Sequence, residues 1–212
     1  MLLTLDTATP YVTVAVHDGT DVVAEVTGEE RMRHGEQVAP AIAEALARAG
    51  VDRDELTAIG VGVGPGPFTG LRVGVVTARV LAHVLDVPAY GVCSLDVLAV
   101  EAVARGQVDT PFVVASDARR KEVHVATYDE RARRLEGPVV AKPADVATAV
   151  PVVGEGALLY PEAFAHAVGP TRVSAGFLAR TIAGEHAELL DPEPLYLRRP
   201  DAVAGLSSKR VS

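Results

Sequence analysis

The sequence predicts an α/β fold in which a mixed sheet is covered by helices. The first observation is a series of three short strand patterns at 2–5, 12–16 and 22–26, the last two separated by an Asp18-Gly19 turn. The second is the alternation of helix and strand patterns that follows them. Three meandering strands followed by such an alternation are typical of a sheet with both antiparallel and parallel pairs.

Periodicity and turn residues predict the remaining elements of the first 106 residues. Residues 36–49 keep apolar side chains at helical spacing, and Gly50 is the kind of residue that ends a helix. Thr69 is suited to be the N-cap of the next helix. In chain order, we predict a helix at 36–49, a strand at 58–63, a helix at 70–85, a strand at 89–92 and a helix from its cap Ser94 to Gly106.

A second and smaller unit is predicted from residue 107 onward. Its patterns favour paired strands at 112–115 and 123–128, helices at 145–149 and 174–184, and a short strand at 195–197. We therefore predict a first lobe at 1–106, a smaller second lobe at 107–199 and a mobile tail at 200–212.

Composition limits the class of protein that the sequence can encode. The 212 residues are 49% hydrophobic, which is enough for a core, and they contain neither a signal-peptide pattern nor a stretch typical of a transmembrane span. The single cysteine, Cys93, excludes an internal disulfide and suits a reducing compartment, where it would be a small core residue. We therefore expect a cytoplasmic protein that does not bind a membrane.

The charge is acidic and unevenly distributed. Of the formal net charge of −8, residues 1–106 carry −7 and residues 107–212 carry −1. A surface this acidic is unsuited to strong nucleic-acid binding. The basic clusters lie late in the chain, with Arg119-Arg120-Lys121 the first of them. Any RNA contact is therefore expected to be weak, salt-sensitive and confined to the second lobe.

The segment GVGVGPGPFTGLRVGV at 60–75 is the most informative one in the chain. Its Gly64-Pro65-Gly66-Pro67 loop forces a tight turn between a buried strand and a helix. Backbone N–H groups at such a helix start can bind a phosphate, and the alternative is a purely structural joint. No Gly-Lys-Ser/Thr sequence follows, so the loop is not a Walker P-loop.

Helix 70–85 is apolar over most of its circumference, whereas a surface helix normally has one apolar stripe. Such a helix is either central in the core or packed on a partner. We expect its better continuous stripe to face the core, namely Leu71, Val75, Ala78, Ala82 and Leu85. The residues expected to face outward are Val73, Val76, Thr77 and Val80, with Gly74 at their margin letting a partner helix approach.

Five sequence blocks, in one order and over nearly the whole chain, resemble the bacterial TsaB (YeaZ) family. They are LLTLDTAT at the start, HGEQVAP at 34–40, GVGPGPFTGLRVGVVTARVLA at 62–82, SDARRKEVHVATY at 116–128 and PLYLR at 194–198. The resemblance implies a two-lobed fold of the actin, Hsp70 and sugar-kinase type (ASKHA), with mixed sheets flanked by helices and a reduced second lobe. It also implies a non-catalytic subunit of the machinery that makes N6-threonylcarbamoyladenosine at position 37 of tRNA.

The partners implied by this resemblance are the catalytic paralogue TsaD and the ATPase TsaE. The family's first two helices form its dimer contact, which corresponds here to 36–49 and 70–85. Val38 and Ile42 on the first helix therefore join the outward residues of the second as the predicted interface. The same helices could serve a homodimer, and tRNA would be contacted only indirectly or weakly.

Three departures from related patterns argue against chemistry in this chain. Pro67 stands where the family usually has serine, which removes a hydroxyl and a backbone donor from the loop. The catalytic paralogues bind a metal through a His-x-x-x-His pair, whereas His34 is followed four positions later by Val38. The remaining histidines show no ligand spacing, so we expect no metal site and no peptidase activity.

Asp6 and Asp117 support the alternative function. Asp6 follows the first predicted strand and resembles the acidic residue that helps actin-like ATPases to hold a metal–nucleotide, and Asp117 would be its counterpart in the second lobe. Two carboxylates facing a cleft would suit Mg²⁺, but Asp and Thr are also ordinary turn residues after a strand. We predict no catalytic residue and no cofactor, and we keep an active actin-like ATPase or phosphotransferase that uses Asp6 and Asp117 as the alternative.

Overall fold

The computed structural model describes residues 1–28 and 33–198, so the predicted tail at 200–212 lies outside the described residues. The strands are β1 (Leu2–Asp6), β2 (Thr13–His17), β3 (Val22–Thr27), β4 (Ala58–Gly62), β5 (Ala89–Val92), β6 (Phe112–Asp117), β7 (Val123–Tyr128), β8 (Arg134–Ala141), β9 (Val152–Val153) and β10 (Ala167–Val168). The helices are α1 (His34–Ala49), α2 (Phe68–Leu85), α3 (Ser94–Ala104), α4 (Glu155–Leu159) and α5 (Ala175–Ala183), with 3₁₀ helices at Arg53–Glu55 and Pro143–Val146.

The first sheet has the strand order β3-β2-β1-β4-β5. Strands β1, β2 and β3 pair antiparallel, while β4 and β5 add on in parallel, as the mixed pattern predicts. Alternation along β1 separates its two faces. Leu3 and Leu5 pack with α1 and α2 in one apolar cluster, whereas the Thr4 hydroxyl on the opposite face donates to the Ala175 carbonyl at the start of α5.

The second sheet repeats this order. Its strands run β10-β9-β6-β7-β8, so β6 takes the place of β1, with β7 and β8 antiparallel on one side and β9 and β10 parallel on the other. The predicted fold class, two mixed sheets flanked by helices in the actin-like manner, is confirmed. Strands β8, β9 and β10 escaped sequence analysis, because β9 and β10 have two residues each and β8 contains Gly137 and Pro138.

Two helices cross between the sheets. Helix α3 follows the last strand of the first sheet but packs on β6, β7 and β9, while α5 follows β10 and packs on β1 to β4. Leu95 and Leu98 of α3 and Leu178 of α5 share one buried cluster with Tyr128. The division at residue 106 into lobes of 1–106 and 107–199 therefore remains a proposal.

Several local predictions were wrong. Residues 145–149 are not a helix, because Pro143 begins a single 3₁₀ turn that ends at Val146. Residues 195–197 form no strand, although the Leu195 N–H donates to the Val63 carbonyl at 2.8 Å. The N-caps are Pro67 for α2 and Cys93 for α3 rather than Thr69 and Ser94, since both helices begin one or more residues earlier than their polar residues suggested.

Candidate functional site: an exposed helix pair and a closed cleft

The buried face of α2 is the one that its sequence pattern predicted. Leu71, Val75, Ala78 and Ala82 are at most 6% exposed, and the last three share an apolar cluster with the first sheet. Leu85, the last residue of the predicted stripe, is half-buried against that cluster. By length and composition, α2 is the one helix among the described residues that could cross a membrane. In this fold it lies against β4 and β1, as a helix of a packed core does.

The opposite face of α2 is an apolar crest. Val76, Val80 and Val84 are 57%, 54% and 71% exposed, and their spacing of four residues aligns them along one side of the helix. Val73 and Thr77 beside them are half-buried, and the Thr77 hydroxyl donates to the Val73 carbonyl at 2.7 Å. Val84, which carries the largest exposed fraction of the crest, was not among the predicted interface residues.

Helix α1 lies beside α2 on the same face of the first sheet and presents small residues to solvent. Ala39, Ala43 and Ala47 are exposed at spacings of four, opposite the buried Ala41 and Ala45. Alanines in such a row allow close approach of another helix. These alanines were not among the predicted interface residues, because Val38 and Ile42 were expected to be the outward positions of α1.

Three of the predicted interface residues, Val38, Ile42 and Gly74, are corrected by the structure. Val38 is 3% exposed and packs in the core of the first sheet, and Ile42 is half-buried against that core. Gly74 is also buried, and a Cβ on it would lie 2.3 Å from the Thr7 hydroxyl. The absence of a side chain at Gly74 therefore lets α2 approach the loop after β1 and does not serve a partner helix.

Beside the crest, other side chains of α2 contact the segment of chain that follows α5 and runs past β5. Tyr196 stacks on Phe68 with ring centroids 4.8 Å apart, and its hydroxyl accepts a hydrogen bond from Arg72 Nε at 2.9 Å. The Arg72 guanidinium also lies 3.8 Å from the centre of the Phe68 ring. About two turns further along α2, Arg79 pairs with Glu193 at 3.9 Å.

Asp6 is sealed inside the protein rather than facing a cleft. Its carboxylate accepts hydrogen bonds from the Ser94 hydroxyl at 2.6 Å and from the Ala8 N–H at 2.7 Å, and its exposed fraction is 0%. Burial raises the pKa of this carboxyl, and the hydrogen bonds from Ser94 and Ala8 oppose the rise. A Cβ on Gly62 would lie 1.7 Å from Asp6 Oδ2, so the strand beside the carboxylate leaves no room for a ligand there.

The cleft between the two sheets is narrow. Its lining comes from both halves of the chain and includes Thr9, Pro67, Asp117 and Glu155, and its free volume is about 20 Å³. Such a volume holds about one water molecule. Asp117 does line this cleft, where its carboxylate pairs with Arg119 at 3.4 Å, but Asp6 does not, so the two carboxylates do not converge on one ligand.

The Gly/Pro loop packs against the loop after β1, and both loops line this cleft. A Cβ on Gly66 would lie 2.3 Å from the Ala8 carbonyl oxygen, and one on Gly70 would lie 2.6 Å from the Thr7 carbonyl oxygen. Gly66 in the loop and Gly70 in α2 therefore allow the start of α2 to touch the loop after β1. Of the two interpretations of the loop, this contact favours the structural joint over the phosphate cradle.

The histidines do not assemble a metal centre in the described part of the chain. No group of three or more His, Cys, Asp or Glu side chains there could hold a metal ion. His34 is buried at the start of α1, where its Nε2 lies 2.7 Å from the Thr9 carbonyl oxygen. His124 is buried in the second sheet, and burial lowers its pKa to about 4.

Comparisons with known proteins point to one group. The family model described as "TsaD: tRNA N6-adenosine threonylcarbamoyltransferase" matches residues 22–175. An uncharacterised protein of Mycobacterium tuberculosis is 41% identical over 207 residues, which cover 95% of this chain and 93% of the relative. The Escherichia coli tRNA threonylcarbamoyladenosine biosynthesis protein TsaB is 34% identical over 129 residues, or 60% of this chain and 54% of the relative.

A solved structure supports the same group over most of the chain. YeaZ from Pseudomonas aeruginosa superimposes with a TM-score of 0.77 at 27% sequence identity. The match covers 92% of this chain and 99% of that one. The likeness therefore extends over both sheets and the crossing helices rather than over one half alone.

Proposed function

Because the chain belongs to the TsaB (YeaZ) family, we propose that it is a subunit of the bacterial machinery that makes N6-threonylcarbamoyladenosine at position 37 of tRNA. In this proposal the chain is a non-catalytic subunit. It binds a TsaD-type catalytic paralogue, and the pair is joined by a TsaE-type ATPase. Since this modification acts on bacterial tRNA, we place the subunit in the cytoplasm.

The observation that carries the proposal is the apolar face of the α1–α2 pair. The face consists of the crest of α2, formed by Val76, Val80 and Val84, and of the exposed row of alanines on the neighbouring α1, Ala39, Ala43 and Ala47. Monomeric proteins seldom leave a contiguous apolar patch of this kind in water. Covering it with a partner helix would contribute roughly 25 cal/mol for each Å² of apolar surface that is buried.

Two neighbouring helices with such a surface are suited to receive two helices of a partner. Ridges of valine on α2 and a groove of alanine on α1 are the complementary shapes that helix packing uses. The partner surface should be apolar at its centre and polar where it meets the Arg72–Tyr196 and Arg79–Glu193 contacts on the edge of α2. A TsaD-type paralogue is our proposed occupant, and a second copy of this chain is the alternative one.

The small free volume of the cleft argues against the alternative function, an active actin-like ATPase. A Mg²⁺–nucleotide would have to enter a space of about 20 Å³, and Asp6 is held by Ser94 and Ala8 outside the lining of that space. We therefore propose that the fold is retained for its scaffold and its surfaces rather than for phosphoryl transfer.

Association tests the proposed interface. We expect Val76→Glu and Val80→Arg each to weaken binding to the TsaD-type paralogue by at least about 100-fold, because a charge would be desolvated without a partner in the complex. Light scattering after size exclusion measures the assembly, and circular dichroism on the same samples checks the fold. Val139→Glu is the matched control, because Val139 is 52% exposed on the edge strand β8 of the second sheet.

The control variant should associate like the unmodified chain. Folded Val76→Glu protein that still binds the paralogue would place the interface elsewhere. The role in modification is tested separately, by formation of N6-threonylcarbamoyladenosine on a tRNA transcript in an extract of cells that lack this chain, with and without the purified chain added back. Formation that does not depend on this chain would refute the proposed function.

A further inference from the structure

The hairpin between β6 and β7 has an unusual backbone. Arg119, Arg120 and Lys121 are consecutive residues with φ angles of 63°, 56° and 60°. The Glu122 N–H donates to the Arg119 carbonyl at 3.0 Å, which makes Arg120 and Lys121 the two central residues of the turn. Positive φ at both central positions is the hallmark of a type I′ hairpin turn.

Basic side chains are a poor choice for this backbone. Type I′ turns favour Asn-Gly, because glycine reaches the left-handed region without a steric penalty and asparagine tolerates it. This chain instead has three long basic residues in a row at left-handed positions. All three are exposed, so they do not fill the core. A sequence that departs from local preference without filling the core is expected where a surface has a binding role.

The base of the hairpin is held from two sides. The Asp117 carboxylate accepts a hydrogen bond from the Arg119 N–H at 2.8 Å and pairs with the Arg119 guanidinium. From the other side, Arg198 donates to the Ala118 carbonyl at 3.2 Å and forms an ion pair with Glu122. The carboxylates on either side of the turn, Asp117 and Glu122, therefore each have a cationic partner at its base.

We propose that this basic hairpin, residues 118–122, is the surface through which the chain contacts the phosphate backbone of tRNA. The inference rests on the proposed function, which supplies RNA as the polyanion that this protein meets. Residues 1–106 carry a net charge of −7 and repel such a ligand, so a contact must lie in the second half. The hairpin stands at the rim of the interlobe cleft, since Asp117 and Arg119 line it.

The test replaces the tip by the residues that the turn prefers. In the variant Arg120→Asn/Lys121→Gly, we expect the melting temperature to stay unchanged or to rise by a few degrees. The affinity of the full chain for an unmodified tRNA transcript should fall about tenfold at low salt. The slope of log Kd against log salt should fall by about 2, one for each lost phosphate contact.

The matched control removes two positive charges away from the hairpin. The control variant is Arg53→Asn/Arg131→Asn, and both arginines are exposed in the unmodified chain. Arg53 lies in the first half, and Arg131 lies in the β7–β8 turn, at the end of the second sheet opposite to the hairpin. This control should keep the tRNA affinity and the salt slope of the unmodified chain to within about twofold. An equal loss in the control would overturn the proposal, because net charge rather than the hairpin would then be responsible.

Partner binding separates this inference from the proposed function. The hairpin variant should bind the TsaD-type paralogue like the unmodified chain, since the α1–α2 face is untouched. Unchanged tRNA affinity in that variant would overturn the hairpin proposal and leave the role of the α2 crest standing. Absence of any measurable tRNA binding by the unmodified chain at low salt would overturn it as well, as would loss of paralogue binding in the hairpin variant.

Discussion

The two sheets of this protein have one strand order and very different helices. In both, a first strand lies between an antiparallel pair on one side and a parallel pair on the other. The connections from the third to the fourth strand and from the fourth to the fifth are α1 and α2 in the first sheet, with 16 and 18 residues. In the second sheet they are a 3₁₀ turn of 4 residues and α4 with 5.

This difference separates what builds the fold from what builds a surface. A five-stranded sheet of this order forms with either kind of connection, so long helices on one face are not needed for the sheet itself. The long connections are where the exposed crest of α2 and the alanines of α1 occur. The second sheet has a different surface feature, the basic hairpin between β6 and β7.

Equivalent positions in the two sheets also have different environments. Asp6 ends β1 and Asp117 ends β6, yet the first is fully buried and the second is half-buried beside Arg119. Gly62 ends β4 and Gly154 follows β9, and both lie against the end of the first strand of their sheet. A Cβ on Gly62 would meet the Asp6 carboxylate, whereas one on Gly154 would meet the Ala115 carbonyl at 2.3 Å.

The largest expected effect comes from adding a methyl group at these two glycines. Gly62→Ala and Gly154→Ala should each lower the free energy of unfolding by about 3 kcal/mol, because neither site has space for a Cβ. The first loss should shrink when Asp6→Ala is added, since the obstacle is a side chain. The second cannot be relieved this way, because the obstacle is a backbone carbonyl and the φ of Gly154 is +102°.

Urea unfolding of the single and double variants measures these losses. Gly35→Ala is the control, since Gly35 is exposed in α1 with nothing within 4 Å of its Cβ position. That substitution should be neutral or stabilise by up to about 1 kcal/mol. Equal rescue of both glycine variants by Asp6→Ala would show that the two sites are not as different as we describe.

A second prediction concerns two buried groups that titrate in opposite senses, one on α3 and one in the second sheet. Burial raises the pKa of the Glu101 carboxyl from 4.5 to about 7, against the opposing effect of Arg105, and lowers the pKa of His124 from 6.5 to about 4. Between pH 4.5 and 7, Glu101 is therefore protonated in the folded protein and ionised in the unfolded chain. Its His124 is neutral between pH 4 and 6.5, where unfolded chain is protonated.

The two groups therefore give opposite slopes of stability against pH. Glu101 makes the folded state less stable as the pH rises from 4.5 to 7, and His124 makes it more stable as the pH rises from 4 to 6.5. Between pH 4.5 and 7, the free energy of unfolding of Glu101→Gln should increase by up to about 3 kcal/mol relative to that of the unmodified chain. Between pH 4 and 6.5, the free energy of unfolding of His124→Gln should decrease by up to about 3 kcal/mol relative to that of the unmodified chain.

Denaturant unfolding at half-unit pH steps measures both differences. A constant loss of stability at every pH, as from imperfect packing of the new side chain, does not affect the slope. Difference curves of the same sign for Glu101→Gln and His124→Gln would contradict the assignment of these two groups.

The smallest expected effect on stability is that of replacing Asp6 or Asp117 by asparagine. Asp6→Asn keeps an acceptor for the Ala8 N–H and removes the buried charge, so the free energy of unfolding at pH 7 should change by less than about 1 kcal/mol. Because burial raises the pKa of the Asp6 carboxyl, the variant should gain relative to the unmodified chain as the pH rises above the ordinary value of 3.8.

Asp117→Asn is the control from the equivalent strand end and should also preserve the fold. Assay of both variants for ATP hydrolysis then addresses the alternative function. Turnover in the highly purified chain that disappears in Asp6→Asn and Asp117→Asn would favour an actin-like ATPase over our proposal.

The sequence by itself determined the strands of the first sheet, their order of appearance, and the buried stripe of α2. These features depend on local sequence: short apolar runs bounded by turn residues in β1 to β5, and spacing of three and four in α1 and α2. The outward position of Val76 and Val80 followed from the same spacing, because a helix with two apolar stripes can bury only one of them against a sheet. The family resemblance added the repeated architecture of the second half.

Only the tertiary structure decided which polar and small residues serve the interior. Burial of Asp6 depends on Ser94, which lies 88 positions later in the chain, and the role of Gly74 depends on Thr7 across the core. The crossing of α3 and α5 between the sheets likewise joins segments far apart in sequence. Such contacts have no local signature, because the free energy of burying a carboxylate or omitting a side chain depends on neighbours that the chain brings together only when it folds.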